Sequence, residues 1–147
     1  MQVKLRVRPE RREQVAQECA RLGIEVADDA DLVLCDRFDT HALLAKDGAD
    51  TVVLPLDRIW CLETRGDDVV ACTPQGVFKV EKRLYQLEAL LPPDQFVRVS
   101  NCCIIARGSV ERIRPGLSCR FLLTLKGGHQ VDVTRTYSQR FKDFFEI

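Results

Sequence analysis

Apolar and polar positions along the chain change period twice, and the changes divide it into parts. Val3, Leu5 and Val7 alternate with Lys4, Arg6 and Arg8, the period-two pattern of a half-buried strand. Pro9 suits a first helical position, Val15, Cys19 and Leu22 fall at i, i+4 and i+7, and Gly23 sits where a helix-ending glycine belongs. Ile24–Ala27 and Leu32–Cys35 are strand-like runs separated by the acidic turn Asp28-Asp29-Ala30-Asp31. Asp36–Asp50 holds turn formers around a short apolar patch, His41–Ala45, and Gly48–Asp50 reads as a boundary. The expected layout is a small β-α-β segment over 1–50 and a second domain over 51–147.

From Thr51 onward one short strand follows another. Thr51–Leu56 and Ile59–Glu63 precede a polar tip, Thr64–Asp68. Val69–Thr73 and Gly76–Val80 flank the turn Pro74-Gln75. Over Glu81–Leu91 the period shifts: Leu84, Leu87 and Leu91 make one helical face, which Pro92-Pro93 ends. Strands resume at Phe96–Val99, Cys103–Ala106, Val110–Ile113, Arg120–Leu125 and Gln130–Val133, the last two joined by Lys126-Gly127-Gly128-His129. Tyr137, Phe141 and Phe144 share one side of a closing helix. Many short strands with short connections predict a mainly β, antiparallel fold.

Composition alters this picture little. Hydrophobic residues make up 46% and charged residues 30% of the 147, ordinary for a globular domain. No apolar run is long enough to span a bilayer, and the charged start lacks the apolar core of a secretory signal, so a cytoplasmic protein is expected. Charge is more informative. Residues 98–142 carry nine basic side chains (Arg98, Arg107, Arg112, Arg114, Arg120, Lys126, Arg135, Arg140, Lys142) against Glu111 and Asp132, a local +7 inside a neutral chain. Such a pole suits a polyanionic partner, although a solvated charged face would look the same.

Chemistry-bearing residues are sparse. The seven cysteines are scattered without Cys-x-x-Cys or Cys/His ligand spacing, and most lie in apolar runs, which points to reduced structural thiols and no metal. The two histidines, His41 and His129, sit in a linker-like stretch and a glycine turn. No nucleophile motif, phosphate loop or zinc-protease motif occurs, so no enzyme activity and no cofactor is expected. Cys102 and Cys103 should point to opposite faces of a strand, one to the core and one to the surface.

The ordered set of motifs after Thr51 resembles the LytTR family. Leu56-Asp57-Arg58-Ile59-Trp60-Cys61-Leu62-Glu63 matches its opening strand, and Leu84–Leu91 its helix. Phe96-Val97-Arg98-Val99-Ser100-Asn101-Cys102-Cys103-Ile104-Ile105-Ala106 matches its aromatic-led motif, and Leu125–Tyr137 its closing one. The resemblance implies an elongated array of small antiparallel sheets with short helices. It also implies a transcriptional regulator of stand-alone type, without a full receiver domain, whose loops enter the major groove of double-stranded DNA. Carried over by position, it gives Arg65, Ser100, Asn101 and Arg135 as base-reading residues. Arg98, Arg107 and Lys126 would meet phosphates. Cys102 replaces the family's usual serine, Ala106 its final asparagine, and Ser100 its frequent histidine. These departures keep open a degenerate domain that binds a regulatory protein partner, or a thiol sensor at Cys102 or Cys103. Residues 1–50 would serve homodimerisation or docking, since a two-fold dimer matches repeated half-sites.

Overall fold

The computed structural model describes residues 1–35 and 40–147, and the chain divides into two compact units, 1–39 and 40–147. Within the first, β1 (Gln2–Arg6), α1 (Pro9–Arg21), β2 (Glu25–Val26) and β3 (Leu32–Cys35) build a three-stranded sheet in the order β2-β1-β3. Both neighbours of β1 run parallel to it, which a hairpin cannot achieve and a helical crossover can. Val3, Leu5 and Cys19 form the small core, with Val7, Val15, Ala16 and Ile24 packed against it. Leu22, expected on the helix stripe, is exposed because it follows the last helical residue and closes the helix with its backbone N–H.

The second unit begins with a hairpin, β4 (Ala42–Asp47) and β5 (Asp50–Pro55). The boundary expected at Gly48–Asp50 falls on its turn, where Gly48 takes φ +60°. A glycine marks a chain reversal and a domain edge equally well, and here it makes the reversal. The patch at His41–Ala45 is therefore largely strand, with Leu43 and Ala45 inward and Leu44 outward. The expected linker residues 36–39 lie outside the described residues.

Next come β6 (Cys61–Arg65), β7 (Asp68–Thr73), β8 (Gly76–Val80), the short helix α2 (Leu84–Leu90), β9 (Phe96–Ser100) and β10 (Cys103–Ala106). With β4 and β5 these strands make a seven-stranded sheet in the order β5-β4-β8-β7-β6-β10-β9, every pairing antiparallel. Then β11 (Val110–Pro115), β12 (Phe121–Leu125) and β13 (Gln130–Val133) form a three-stranded antiparallel sheet, and α3 (Ser138–Phe145) closes the unit.

Alternation along the central strands explains how these parts stack. Leu62 and Ile104 enter one core with Leu84, Leu87 and Leu91 of the α2 segment. Their neighbours Cys61, Cys103 and Ile105 enter a second core with Leu123, Leu125, Val133 and Phe141. The long sheet is thus buried on both faces around β6 and β10, one under α2 and the other under the three-stranded sheet and α3. One tight contact fixes the second layer. Gly127, at φ +81°, sits where a Cβ would come 2.9 Å from Cζ3 of Trp60. Gly127→Ala should therefore combine left-handed strain with a clash against an aromatic ring and cost about 1–3 kcal/mol, read as a lowered denaturation midpoint. Gly108→Ala, at ordinary φ with open space around it, is the matched control.

Candidate functional site

Three segments predicted from the sequence meet at one end of the second unit. The β9–β10 turn carries Ser100, Asn101 and Cys102, and β6 reaches it through the Thr64 N–H, which donates to the Cys102 carbonyl at 2.8 Å. The exit of β13 reaches it through the Thr134 N–H, donating to the Val99 carbonyl at 2.9 Å. Arg65 and Ser100, at the ends of β6 and β9, therefore lie on neighbouring segments with Asn101 and Arg135.

The turn is braced from below. Ser100 Oγ accepts from the Cys102 N–H at 3.1 Å, a local side-chain-to-backbone bond that holds a tight reversal. Arg98, expected to meet phosphate, donates from Nε to the Ser100 carbonyl (3.0 Å) and from Nη2 to the Asn101 carbonyl (2.8 Å). Its Nη1 pairs with Glu88 of α2 at 2.9 Å, and only 16% of the side chain is accessible. With three donors engaged inside the protein, Arg98 shapes the turn. Glu88 also takes Arg140 of α3 at 2.7 Å, and both guanidiniums lie over the Tyr137 ring, 5.8 and 5.4 Å from its centre. Tyr137 in turn donates its hydroxyl to Asn101 Oδ1 at 3.1 Å. This orients the amide, so that its NH2 end points away from the tyrosine oxygen.

The remaining expected cations differ among themselves. Arg135 opens a short 3-10 turn (Arg135–Tyr137), is exposed, and has no partner among the described residues. Arg107 is engaged, donating to the Asp94 carbonyl (2.9 Å) and to the Phe144 carbonyl (2.7 Å) with its guanidinium 4.0 Å from the Phe144 ring centre. A cation there also offsets the carbonyl end of the helix dipole of α3. Lys126 is exposed and shares a cleft of about 310 Å³ with Arg107, Trp60 and Gln95, a place distinct from the Asn101 turn.

Arg65 is held at the edge of a second constellation. Its Nε and Nη2 donate to Glu63 Oε1 at 2.9 and 2.6 Å, and about half of its side chain stays accessible. His129 Nε2 lies 3.2 Å from the other carboxylate oxygen. Burial pushes the Glu63 carboxyl up, but the hydrogen bonds from Arg65 and His129 outweigh it, leaving Glu63 below the ordinary carboxylate value. Pairing with Glu63 raises Arg65 in return. Beside them lie Cys61 and Cys72, cross-strand partners on β6 and β7. The Cys61 thiol is pushed up by its hydrogen bond with Cys103 and by burial. Cys72 is pushed up by its bond with Cys61 and by burial. Both are therefore neutral thiols at neutral pH. Cys61, Glu63, Cys72 and His129 bring their ligand-type atoms within 4.8 Å of one another, a grouping that the sequence reading did not anticipate. Its strand half follows from one register: a two-residue turn at Gly66–Asp67 puts position 72 opposite 61. Of the Cys102-Cys103 pair, the structure buries the second and exposes the first, because Cys103 opens β10 while Cys102 lies in the turn before it.

Comparison with known proteins agrees with this fold. A solved LytTr DNA-binding domain from Bacillus cereus superposes with a TM-score of 0.70 at 21% identity, covering 74% of this chain and 99% of that one, so the two share a fold. The sensory transduction protein LytT of Bacillus subtilis is 25% identical over 107 residues, 73% of this chain. The match spans 44% of the length of LytT. An uncharacterized HTH-type transcriptional regulator of Staphylococcus aureus is 24% identical over 112 residues, 76% of each chain. The sequence model of the LytTr DNA-binding domain matches residues 49–146. With that match covering most of the sequence, and the mainly β antiparallel fold in place, this chain belongs to the LytTR family of DNA-binding domains.

Proposed function

We propose that the chain binds double-stranded DNA sequence-specifically as a transcriptional regulator of the cytoplasm, reading the major groove with loops. The observation that carries this is the braced turn at Ser100–Cys102 beside the uncommitted Arg135. Arg98, Glu88, Tyr137 and the Ser100 hydroxyl fix the backbone and the Asn101 amide before any ligand arrives. A preformed turn loses little freedom on binding. Asn101 has the amide geometry that suits adenine N6 and N7, and Arg135 the donor fork that suits guanine O6 and N7. Arg65 joins them with its exposed half, and Ser100 acts through the turn it holds. Arg98 is a positioning residue in this reading, and Arg107 anchors α3. Lys126 and Arg140 supply charge for phosphates, Arg140 from the flank of the turn.

Two copies related by a two-fold axis would present two such turns to repeated half-sites, which is the role proposed for residues 1–50. The expected test is a mobility shift of the full chain on genomic fragments at low salt. It should select a small set of fragments over bulk DNA, and retention of none would contradict the proposal. Lys126→Ala should weaken all fragments alike. It should also lower the salt slope of log K by about 0.9, the share of one phosphate, without changing which fragment is preferred.

A further inference from the structure

We propose that Cys61, Cys72, His129 and Glu63 form a binding site for a thiophilic divalent cation of the zinc type, which staples the seven-stranded sheet to the β12–β13 connection. This inference stands apart from the DNA reading and does not depend on it.

The geometry is already near that of a closed four-coordinate centre. With metal–sulfur bonds of about 2.3 Å and metal–nitrogen or –oxygen bonds of about 2.0–2.2 Å, the edges of a tetrahedron are about 3.3–3.8 Å. Cys72 Sγ lies 3.7 Å from Glu63 Oε1, while His129 Nε2 lies 3.2 Å from the other oxygen of that carboxylate, Oε2. All four groups fit within 4.8 Å, so contractions on the order of 1 Å or less would complete the shell. Each comes from a part of the fold that is separately fixed. Cys61 and Glu63 share one face of β6, Cys72 stands opposite Cys61 on β7, and His129 is delivered by the turn that Gly127 seats against Trp60.

The donor set selects the ion. Two thiols and an imidazole favour zinc and its neighbours over magnesium or calcium, which seek shells of oxygen. Charge also closes. Two thiolates and a carboxylate carry −3, the cation +2, and Arg65, bonded to Glu63 and 3.8 Å from Cys72 Sγ, supplies the last +1. Binding releases the two thiol protons to solvent and requires no oxidant or reductant. Arg65 then serves as the outer hydrogen-bond donor that orients ligand atoms.

The test uses the full chain, reduced and stripped of metal, titrated with Co²⁺ as a spectroscopic probe and then with Zn²⁺. The expected result is one Co²⁺ per chain with thiolate-to-metal charge-transfer and tetrahedral ligand-field bands, both removed by Zn²⁺. Zn²⁺ should also raise the thermal midpoint. Cys72→Ser should lose at least half of the charge-transfer intensity, and His129→Asn should weaken Co²⁺ binding by a factor of about ten or more. Cys35→Ser, at an exposed thiol of the first unit, should leave Co²⁺ binding unchanged. His129 is partly accessible, so its variant is expected to fold, as far-UV circular dichroism will verify. Absence of the bands in the reduced protein would overturn the proposal. So would bands that survive both Cys72→Ser and His129→Asn, because the ligands would then lie elsewhere.

Discussion

Phe141→Ala is expected to lower the unfolding free energy by about 3–5 kcal/mol, the range for deleting a fully buried aromatic ring. Phe141 is 0% exposed, and its ring centre lies 5.3 Å from that of Phe121 and 4.9 Å from that of Phe145. It thereby joins β12 to α3 in the core that also takes Val99 and Val133, the residues flanking the Ser100 turn and the Thr134 exit. A domain with about 5–15 kcal/mol of total stability loses a large fraction of it by this one change. The expected readout is a lower urea midpoint with an unchanged slope. A shift below about 1 kcal/mol would mean that α3 packs loosely, and that the bracing of Tyr137 and Arg140 against Glu88 is not maintained from that side.

The second large effect concerns recognition. Arg135→Ala removes an exposed side chain with no partner among the described residues, so stability should stay within about 0.5 kcal/mol of the parent. If Arg135 reads a guanine, discrimination at that base pair should fall by about 1–3 kcal/mol, on the order of 5- to 150-fold. Competition between the preferred duplex and single-base variants measures this directly. A variant that loses affinity equally for every duplex would reassign Arg135 to phosphate. The contrast with Arg98 is instructive, since substitution there would disturb the turn itself and confound shape with contact.

Much of the fold was legible in the sequence because short strands with one or two buried faces leave period-two or continuous apolar runs. The strands from Thr51 to Val133 and the α2 face Leu84, Leu87 and Leu91 follow that rule. The β4 strand was missed although Leu43, Leu44 and Ala45 alternate correctly, because the glycine at its turn reads equally as a boundary. Leu22 kept the helical spacing one residue beyond the helix.

The site was less legible, for an electrostatic reason. Sequence gives the sign of a side chain but not its neighbour. Arg98 looks available until Glu88, ten residues earlier on another element, faces it, and Arg107 until the Phe144 carbonyl arrives from 37 residues away. The Cys61–Cys72 pairing could be counted from the hairpin register, whereas His129 reaches Glu63 across 66 residues and only through the packing of two sheets. Local motifs thus located the loops, and tertiary contacts sorted which of their cations are spoken for.

In the proposed binding mode the loop end bearing Asn101 and Arg135 enters the major groove. Methylation interference at guanine N7, which projects into that groove, tests it most directly on the fragment selected by the full chain. Interference is expected at guanines in two clusters whose centres are about one helical turn, ~10–10.5 base pairs, or a multiple of it apart, with one guanine losing its effect in Arg135→Ala. Tight binding without interference at any guanine N7, or interference identical in the parent and the Arg135 variant, would contradict it.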